Sequence, residues 1–225
     1  MSHRSITVGA ALVAALGCSS PKPDAPQVSV RDIIAQNARA DTRPDSFSIA
    51  ADRGRILGDS GARVWVVVMA DYQCAECKRW YDEVMPRLKA DYVASGRVRV
   101  AFLHMPLERH LNGMISAVGA VCAANEGKFA GTTDRIFATQ TRWKDLPDAR
   151  PFLDSLAIAA GADSTTHRRC TELARGQKLV REDMQRAIAA GVDSLPTFFV
   201  GSHKVVGYST SAAFRAVVDS ALMGK

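Results

Sequence analysis

The sequence predicts an α/β fold, and three observations carry that expectation. Val64-Trp65-Val66-Val67-Val68-Met69 is a continuous apolar, β-branched run, the pattern of a strand covered on both faces in a parallel sheet. A helix pattern follows it from Ala75 to about Ala94, with Trp80, Val84, Leu88 and Tyr92 four apart on one face. Val98 to Leu103 then alternates as a second strand. Strand, helix and strand in that order make a βαβ unit, whose crossover is expected to be right-handed.

The chain has 225 residues, room for one domain with a substantial core plus a short targeting region. Its N-terminus reads as an export signal over residues 1–18. Arg4 lies in a short polar start, and an apolar stretch runs from about Ile6 to Leu16. That stretch is shorter than the ~20 residues of a membrane span. A buried N-terminal helix fits less well, because the segment after it is rich in Ser and Pro. Ala15-Leu16-Gly17-Cys18 resembles a bacterial lipobox, with Cys18 as the lipidation site and the membrane as the partner of that anchor. The lipobox pattern places Leu where Ala15 stands, so cleavage by an ordinary signal peptidase near Ala15 or Gly17 is the alternative. Residues 19–45 read as a tether, kept extended at its start by Pro21, Pro23 and Pro26. Ile33, Ile34 and Ala38 give a short helical spacing within Val30 to Ala40.

The folded region is expected over residues 46–225. Pro86 should interrupt the first long helix. From about Glu108 to Ala190 the apolar residues recur at helical spacing, with Gly127, Gly161, Gly176 and Gly191 marking breaks. Thr197-Phe198-Phe199-Val200 reads as a strand, turned by Gly201-Ser202 into Lys204-Val205-Val206 as a hairpin. Ser211 to Met223 closes the chain as a helix with Ser209 or Thr210 as its N-cap.

The five cysteines are Cys18, Cys74, Cys77, Cys122 and Cys170. With Cys18 lipidated, four remain, and an even set in an exported protein suggests disulfides. Cys74 and Cys77 form a local pair. Elimination then leaves Cys122 with Cys170, or alternatively two buried free thiols.

A Cys-x-x-Cys pair occurs in zinc sites, at haem attachment and in redox proteins. Haem attachment requires His after the second Cys, and Lys78 stands there. A structural zinc site requires four ligands, and no second close pair exists. The position of the pair favours redox chemistry, because it falls at the end of a buried strand and the start of a helix. There the helix N–H groups and dipole stabilise an anion. Cys74 is then the activated nucleophile, and Cys77, one turn on, resolves the mixed disulfide. Pro196, at the entrance to the late strand, reads as a turn proline or as a cis proline facing the redox pair.

Four stretches in register resemble the DsbA-like branch of the thioredoxin superfamily. They are Met69-Ala70-Asp71-Tyr72-Gln73-Cys74-Ala75-Glu76-Cys77, Phe102-Leu103-His104-Met105-Pro106-Leu107, Cys122-Ala123-Ala124-Asn125-Glu126-Gly127-Lys128-Phe129, and Gly191-Val192-Asp193-Ser194-Leu195-Pro196-Thr197-Phe198-Phe199-Val200-Gly201. The resemblance runs from about residue 46 to the end. It implies a thioredoxin fold with a helical insertion at about 108–190, and dithiol–disulfide exchange on exported protein substrates through Cys74 and Cys77. It further implies a substrate groove shaped by Leu195 and Pro196, and a structural disulfide at Cys122 and Cys170. The partners implied are exported protein thiols and disulfides and a separate redox partner. The location implied is the bacterial cell envelope, facing the periplasm or the exterior. No dissociable cofactor and no metal are required.

The departures from the family pattern are informative. Ala75 and Glu76 stand where relatives often carry Pro and an aromatic residue or His. A Glu76 carboxylate near Cys74 disfavours its thiolate, which predicts a weaker oxidant. Val68 stands where many relatives bury an acid, leaving Asp71 or Glu76 as substitutes. Leu195 replaces a smaller Thr or Val. His104 and His110 read as structural, and Met69, Met105 and Met114 as packing rather than copper ligands.

Rival readings are a reductase or isomerase, a copper-handling thiol protein, and a non-catalytic docking module. Residues 19–45 are too few to hold a dimerisation region, so a monomer is expected. The net charge of +6 is scattered, with no basic stripe for nucleic acid.

Overall fold

The computed structural model describes residues 45–224. The signal-peptide, Cys18 and Val30–Ala40 helix expectations lie outside the described residues, as does the tether except for Asp45. Helix α1 (Ser46–Gly54) opens the fold, capped by Asp45, whose side chain accepts the Ser48 N–H at 2.7 Å. A two-residue strand β1 (Ile56–Leu57) follows, then β2 (Val64–Ala70), α2 (Ala75–Leu88) and β3 (Val98–His104). Neither α1 nor β1 is foreshadowed in the sequence pattern. Six helices come next: α3 (Gly113–Asn125), α4 (Phe129–Ala138), α5 (Gln140–Trp143), α6 (Arg150–Ala159), α7 (Ser164–Glu172) and α8 (Gln177–Ala189). The hairpin β4 (Thr197–Val200) and β5 (His203–Val206) leads into α9 (Ser211–Leu222), capped by the Thr210 hydroxyl.

The five strands form one mixed sheet in the order β1-β3-β2-β4-β5. β2 and β3 are parallel, from Val64 opposite Val98 to Ala70 opposite His104. The other pairings are antiparallel. β2 is therefore central, and its apolar run follows from cover on both sides: Val66 and Val68 are fully buried, and Trp65 and Val67 half-buried. β3 alternates strictly between buried and half-buried residues. On its half-buried face the Arg99 guanidinium lies 3.6 Å over the Trp65 ring.

Helix α2 packs on the sheet through two aromatic groups. Trp80 lies 4.4 Å from Phe198 of β4 and 5.2 Å from Phe214 of α9. Tyr81 stacks on Phe137 of α4 at 4.4 Å. The helix continues past Pro86 to Leu88 and then loosens into a π turn at Lys89–Val93. Pro86 removes one intrahelical N–H, and the winding changes within the following turn.

Within the insertion α4, α6, α7 and α8 pack on α3, a run of small and β-branched residues buried along most of its length. Its helical segment begins at Gly113, five residues beyond the expected start, because Glu108 to Asn112 form the loop that reaches the site. Helix α1 lies so close to α3 that a Cβ on Gly54 would meet the Ala124 carbonyl oxygen at 1.9 Å, which only glycine tolerates. The Cys122–Cys170 disulfide joins α3 to α7, with Cα atoms 5.9 Å apart. Arg55, at the end of α1, is buried and bonds Asp183 of α8, with Nη2 2.8 Å from Oδ1. Asp183 also accepts the His104 backbone N–H at 3.0 Å, so one carboxylate ties α1, α8 and the end of β3 together.

Candidate active site

The parallel strands β2 and β3 end together, and the chain leaves β2 through Asp71-Tyr72-Gln73 into α2. Asp71 shapes this turn: its Oδ1 accepts the Gln73 N–H at 2.8 Å, and its carbonyl accepts the Cys74 N–H at 3.1 Å. Cys74 is the N-cap of α2 in extended backbone geometry, and its sulfur accepts the Cys77 N–H at 3.3 Å. Both cysteines are free thiols. Cys74 is 8% exposed and Cys77 1%.

The two thiols are driven apart in acidity. Cys74 is lowered to about 7. The Cys77 thiol bonding to it is the largest cause, and the Cys77 and Glu76 backbone N–H groups add to it; burial and the Asp71 carboxylate work against it. Cys77 is pushed well above the ordinary thiol value, first by burial and then by Cys74 itself. One sulfur is thus poised to ionise and the other to hold its proton.

The Glu76 side chain is exposed at the helix start, and its backbone N–H bonds toward Cys74 in the favourable direction. The carboxylate that opposes the thiolate is that of Asp71, buried behind the pair. Ala75 is exposed beside Glu76, and Val68 is plain core.

The insertion holds the redox turn from above. Gln140 Nε2 donates to the carbonyls of Tyr72 at 2.6 Å and Cys74 at 3.1 Å. Gln73 donates to the Lys144 carbonyl at 2.9 Å and accepts the Asn112 N–H at 2.8 Å. Asn112, fully buried, donates in turn to the carbonyls of Trp143, Lys144 and Leu146. These three side chains were missed in the sequence, where isolated Gln and Asn residues carry no periodic signal.

The Leu195–Pro196 peptide is cis. Thr197 pairs with Met69 across β4 and β2, which brings Pro196 to the sheet end from which the redox turn leaves. Pro196 is buried, Leu195 half-buried, and the Pro196 carbonyl accepts the Gly207 N–H at 2.7 Å. His104 is fully buried, 3.3 Å from the Tyr72 hydroxyl, and burial lowers its basicity. His110 Nδ1 lies 2.6 Å from Asp71 Oδ2. Met69 and Met105 pack with Ala187 and Val192, and Met114 packs on the main core. Among the described residues, no group of three or more His, Cys, Asp or Glu side chains is placed to hold a metal ion.

A mixed sheet whose central strand runs into a Cys-x-x-Cys helix start, with a cis proline at the same sheet end, defines a protein of the thioredoxin fold. The thioredoxin family profile matches residues 50–220, and the chain belongs to that family. Among solved structures, BdbD from Bacillus subtilis superposes with a TM-score of 0.69 at 19% identity, covering 76% of this chain and 95% of that one. The alpha-DsbA1 protein of Wolbachia pipientis gives 0.67 at 22%, over 76% and 91%. A probable disulfide bond formation protein D of Bacillus anthracis is 28% identical over 107 residues, 47% of this chain and 48% of that protein. A Na(+)/H(+) antiporter, NhaA 3 of Salinispora tropica, is 31% identical over 173 residues, 76% of this chain and 25% of the antiporter. The chain thus spans between a quarter and a half of these two relatives.

Proposed function

We propose that the protein is a thiol–disulfide oxidoreductase acting on exported protein thiols and disulfides through Cys74 and Cys77. The observation that carries this reading is the placement of the two sulfurs: Cys74 caps the helix and accepts the Cys77 N–H while Cys77 is buried, which lowers the first thiol to about 7 and raises the second. In the oxidising direction a substrate thiolate attacks the Cys74 sulfur of the Cys74–Cys77 disulfide, and Cys77 leaves as a thiolate that takes up a proton. A second substrate thiolate then attacks the mixed disulfide, closing the substrate disulfide and releasing the Cys74 thiolate. Each step runs in reverse for reduction. A thiol lowered toward 7 suits Cys74 as both nucleophile and leaving group.

Pro196 and the half-buried Leu195 form the wall on which a substrate strand lies, and Leu195 selects among substrates by its bulk. The name of the Bacillus anthracis relative, a disulfide bond formation protein, supports disulfide chemistry; the apolar N-terminal stretch and Cys18 support a place in the cell envelope with a lipid anchor. The Asp71 carboxylate favours the disulfide over the thiolate, so a reductase or isomerase direction is the second reading. Two assays test the proposal: oxidative refolding of reduced ribonuclease and reduction of insulin by dithiothreitol. The wild-type protein should accelerate at least one, and Cys74→Ser should abolish the effect. A wild-type protein inactive in both overturns the reading.

A further inference from the structure

A buried carboxylate in contact with an imidazole stands beside the two thiols. The Asp71 side chain has no exposed surface, and its carboxylate is held by donors on both oxygens. Oδ1 accepts the Gln73 N–H at 2.8 Å; Oδ2 accepts the Leu107 N–H at 2.8 Å and lies 2.6 Å from His110 Nδ1. Helix α3 opens directly against it: a Cβ on Gly113 would stand 3.2 Å from Oδ2 and 3.3 Å from Oδ1. Asp71 is tied to the redox turn by its own backbone, and its charge pushes both thiols up. The His110 side chain is 15% exposed, so its ring reaches solvent while the carboxylate does not.

The other charged groups around this pair are differently engaged. Glu108 and Arg109 precede His110 on the same loop with exposed side chains, and Glu76 is exposed on α2. His104, from β3, feels Asp71 but is buried against Tyr72 and Asp183. Arg55, from α1, is committed to Asp52 and Asp183. His110 is the cation-forming group in contact with the Asp71 carboxylate.

We propose that His110 is a positioning residue of the exchange reaction: it binds a proton when the Cys74–Cys77 disulfide is reduced, and that charge cancels Asp71 and holds Cys74 as its thiolate. The proposal deepens the functional reading above and rests on it. A substrate dithiol gives up two electrons and two protons as its own disulfide closes. One proton goes to Cys77, the other to the His110 ring, and Cys74 is left as the thiolate. The reduced site then carries one more negative charge than the oxidised site and one more positive charge to match it.

The test is the rate at which iodoacetamide alkylates Cys74 in reduced protein, followed by mass spectrometry from pH 5 to 9. His110→Gln keeps an N–H for Asp71 but cannot carry the charge. It should raise the half-point of the rate profile by about one pH unit, a roughly tenfold slower reaction at pH 6. Adding Asp71→Asn to His110→Gln should return the half-point to the wild-type value or below, since no carboxylate then needs cancelling. Asp71→Asn alone should lower the half-point, which keeps the proposal testable if His110→Gln does not fold. An unchanged half-point in His110→Gln overturns the proposal, and so does a slowdown that Asp71→Asn fails to reverse. Failure of the functional reading shows separately, as a wild-type protein inactive toward ribonuclease and insulin.

Discussion

Replacing both Cys122 and Cys170 with Ala removes the bridge between α3 and α7, and the loop it closes sets the cost. The two residues are 48 apart in sequence. For a loop of that length the chain-entropy expression gives about 4 kcal/mol at 25 °C. Both sulfurs are buried, so truncation adds a packing loss on the order of 1 kcal/mol each. For a domain of this size each kcal/mol moves Tm by about 2–4 °C, so the double variant should melt at least about 8 °C below the parent. The entropic account also locates the effect in the unfolded chain, which without the bridge expands further. The urea m-value should therefore rise together with the fall in midpoint. The assay is thermal and urea unfolding followed by circular dichroism, with insulin reduction measured on the same samples. Activity should persist near the parent level, because the bridge lies in the insertion and does not touch the redox turn. A Tm within about 2 °C of the parent, the shift expected for less than 1 kcal/mol, would refute the entropic reasoning. Loss of activity in a folded variant would refute the separation of the two cysteine pairs.

Alkylation of the reduced protein at pH 6 should label Cys74 well before Cys77, since one thiol is lowered to about 7 and the other raised and buried; preferential labelling of Cys77 would reverse their roles. Glu76→Gln should leave the Cys74 half-point within about 0.3 pH units, because an exposed charge is screened by water; a shift of a full unit would restore the carboxylate to the role now given to Asp71. Burial alone would raise Asp183, but bonding to His104 and Arg55 outweighs it and holds the acid below its ordinary value. Its stabilisation is therefore present above the unfolded value of about 4 and is lost as the pH falls through the lower folded one. Asp183→Asn leaves Arg55 short of a buried partner and should cost about 3 kcal/mol or more at pH 7, a deficit that narrows toward pH 2 in urea titrations.

Much of the fold was legible because burial writes a periodic signal. The run from Val64 to Met69 could be read as a central strand because both its neighbours and its faces are covered. Val98 to Leu103 alternated because one face is fully in the core. The cap at Ser209 or Thr210 and the Gly201 turn were visible because each position demands a particular residue type, and the structure places the cap at Thr210. Helix α1 was not legible, since it was adjacent to the tether and its fit depends on Gly54 touching Ala124, a contact 70 residues away in sequence. β1 has two residues and so no period at all.

In the site, the cysteine pair and Pro196 stood out by motif and position, and Asp71 as one of two candidate acids, but the contacts among the surrounding groups did not. Asp71 meets His110 across 39 residues, and Gln140 reaches Tyr72 across 68. Polar contacts of this kind depend on how the insertion folds back over the sheet, and single side chains leave no pattern to read. The charge assigned to Glu76 illustrates the same limit. Sequence proximity placed a carboxylate two residues from Cys74, whereas the helix turns that side chain outward and the preceding turn directs Asp71 inward.

The central claim is that Cys74 exchanges disulfides and Cys77 resolves them. A Cys77→Ser variant mixed with a reduced, unfolded protein and oxidised glutathione should accumulate a covalent mixed disulfide, and peptide mass spectrometry should map it to Cys74. Bonding of the substrate to that variant through Cys122 or Cys170, or no adduct at all under conditions where the parent is active, would contradict the account.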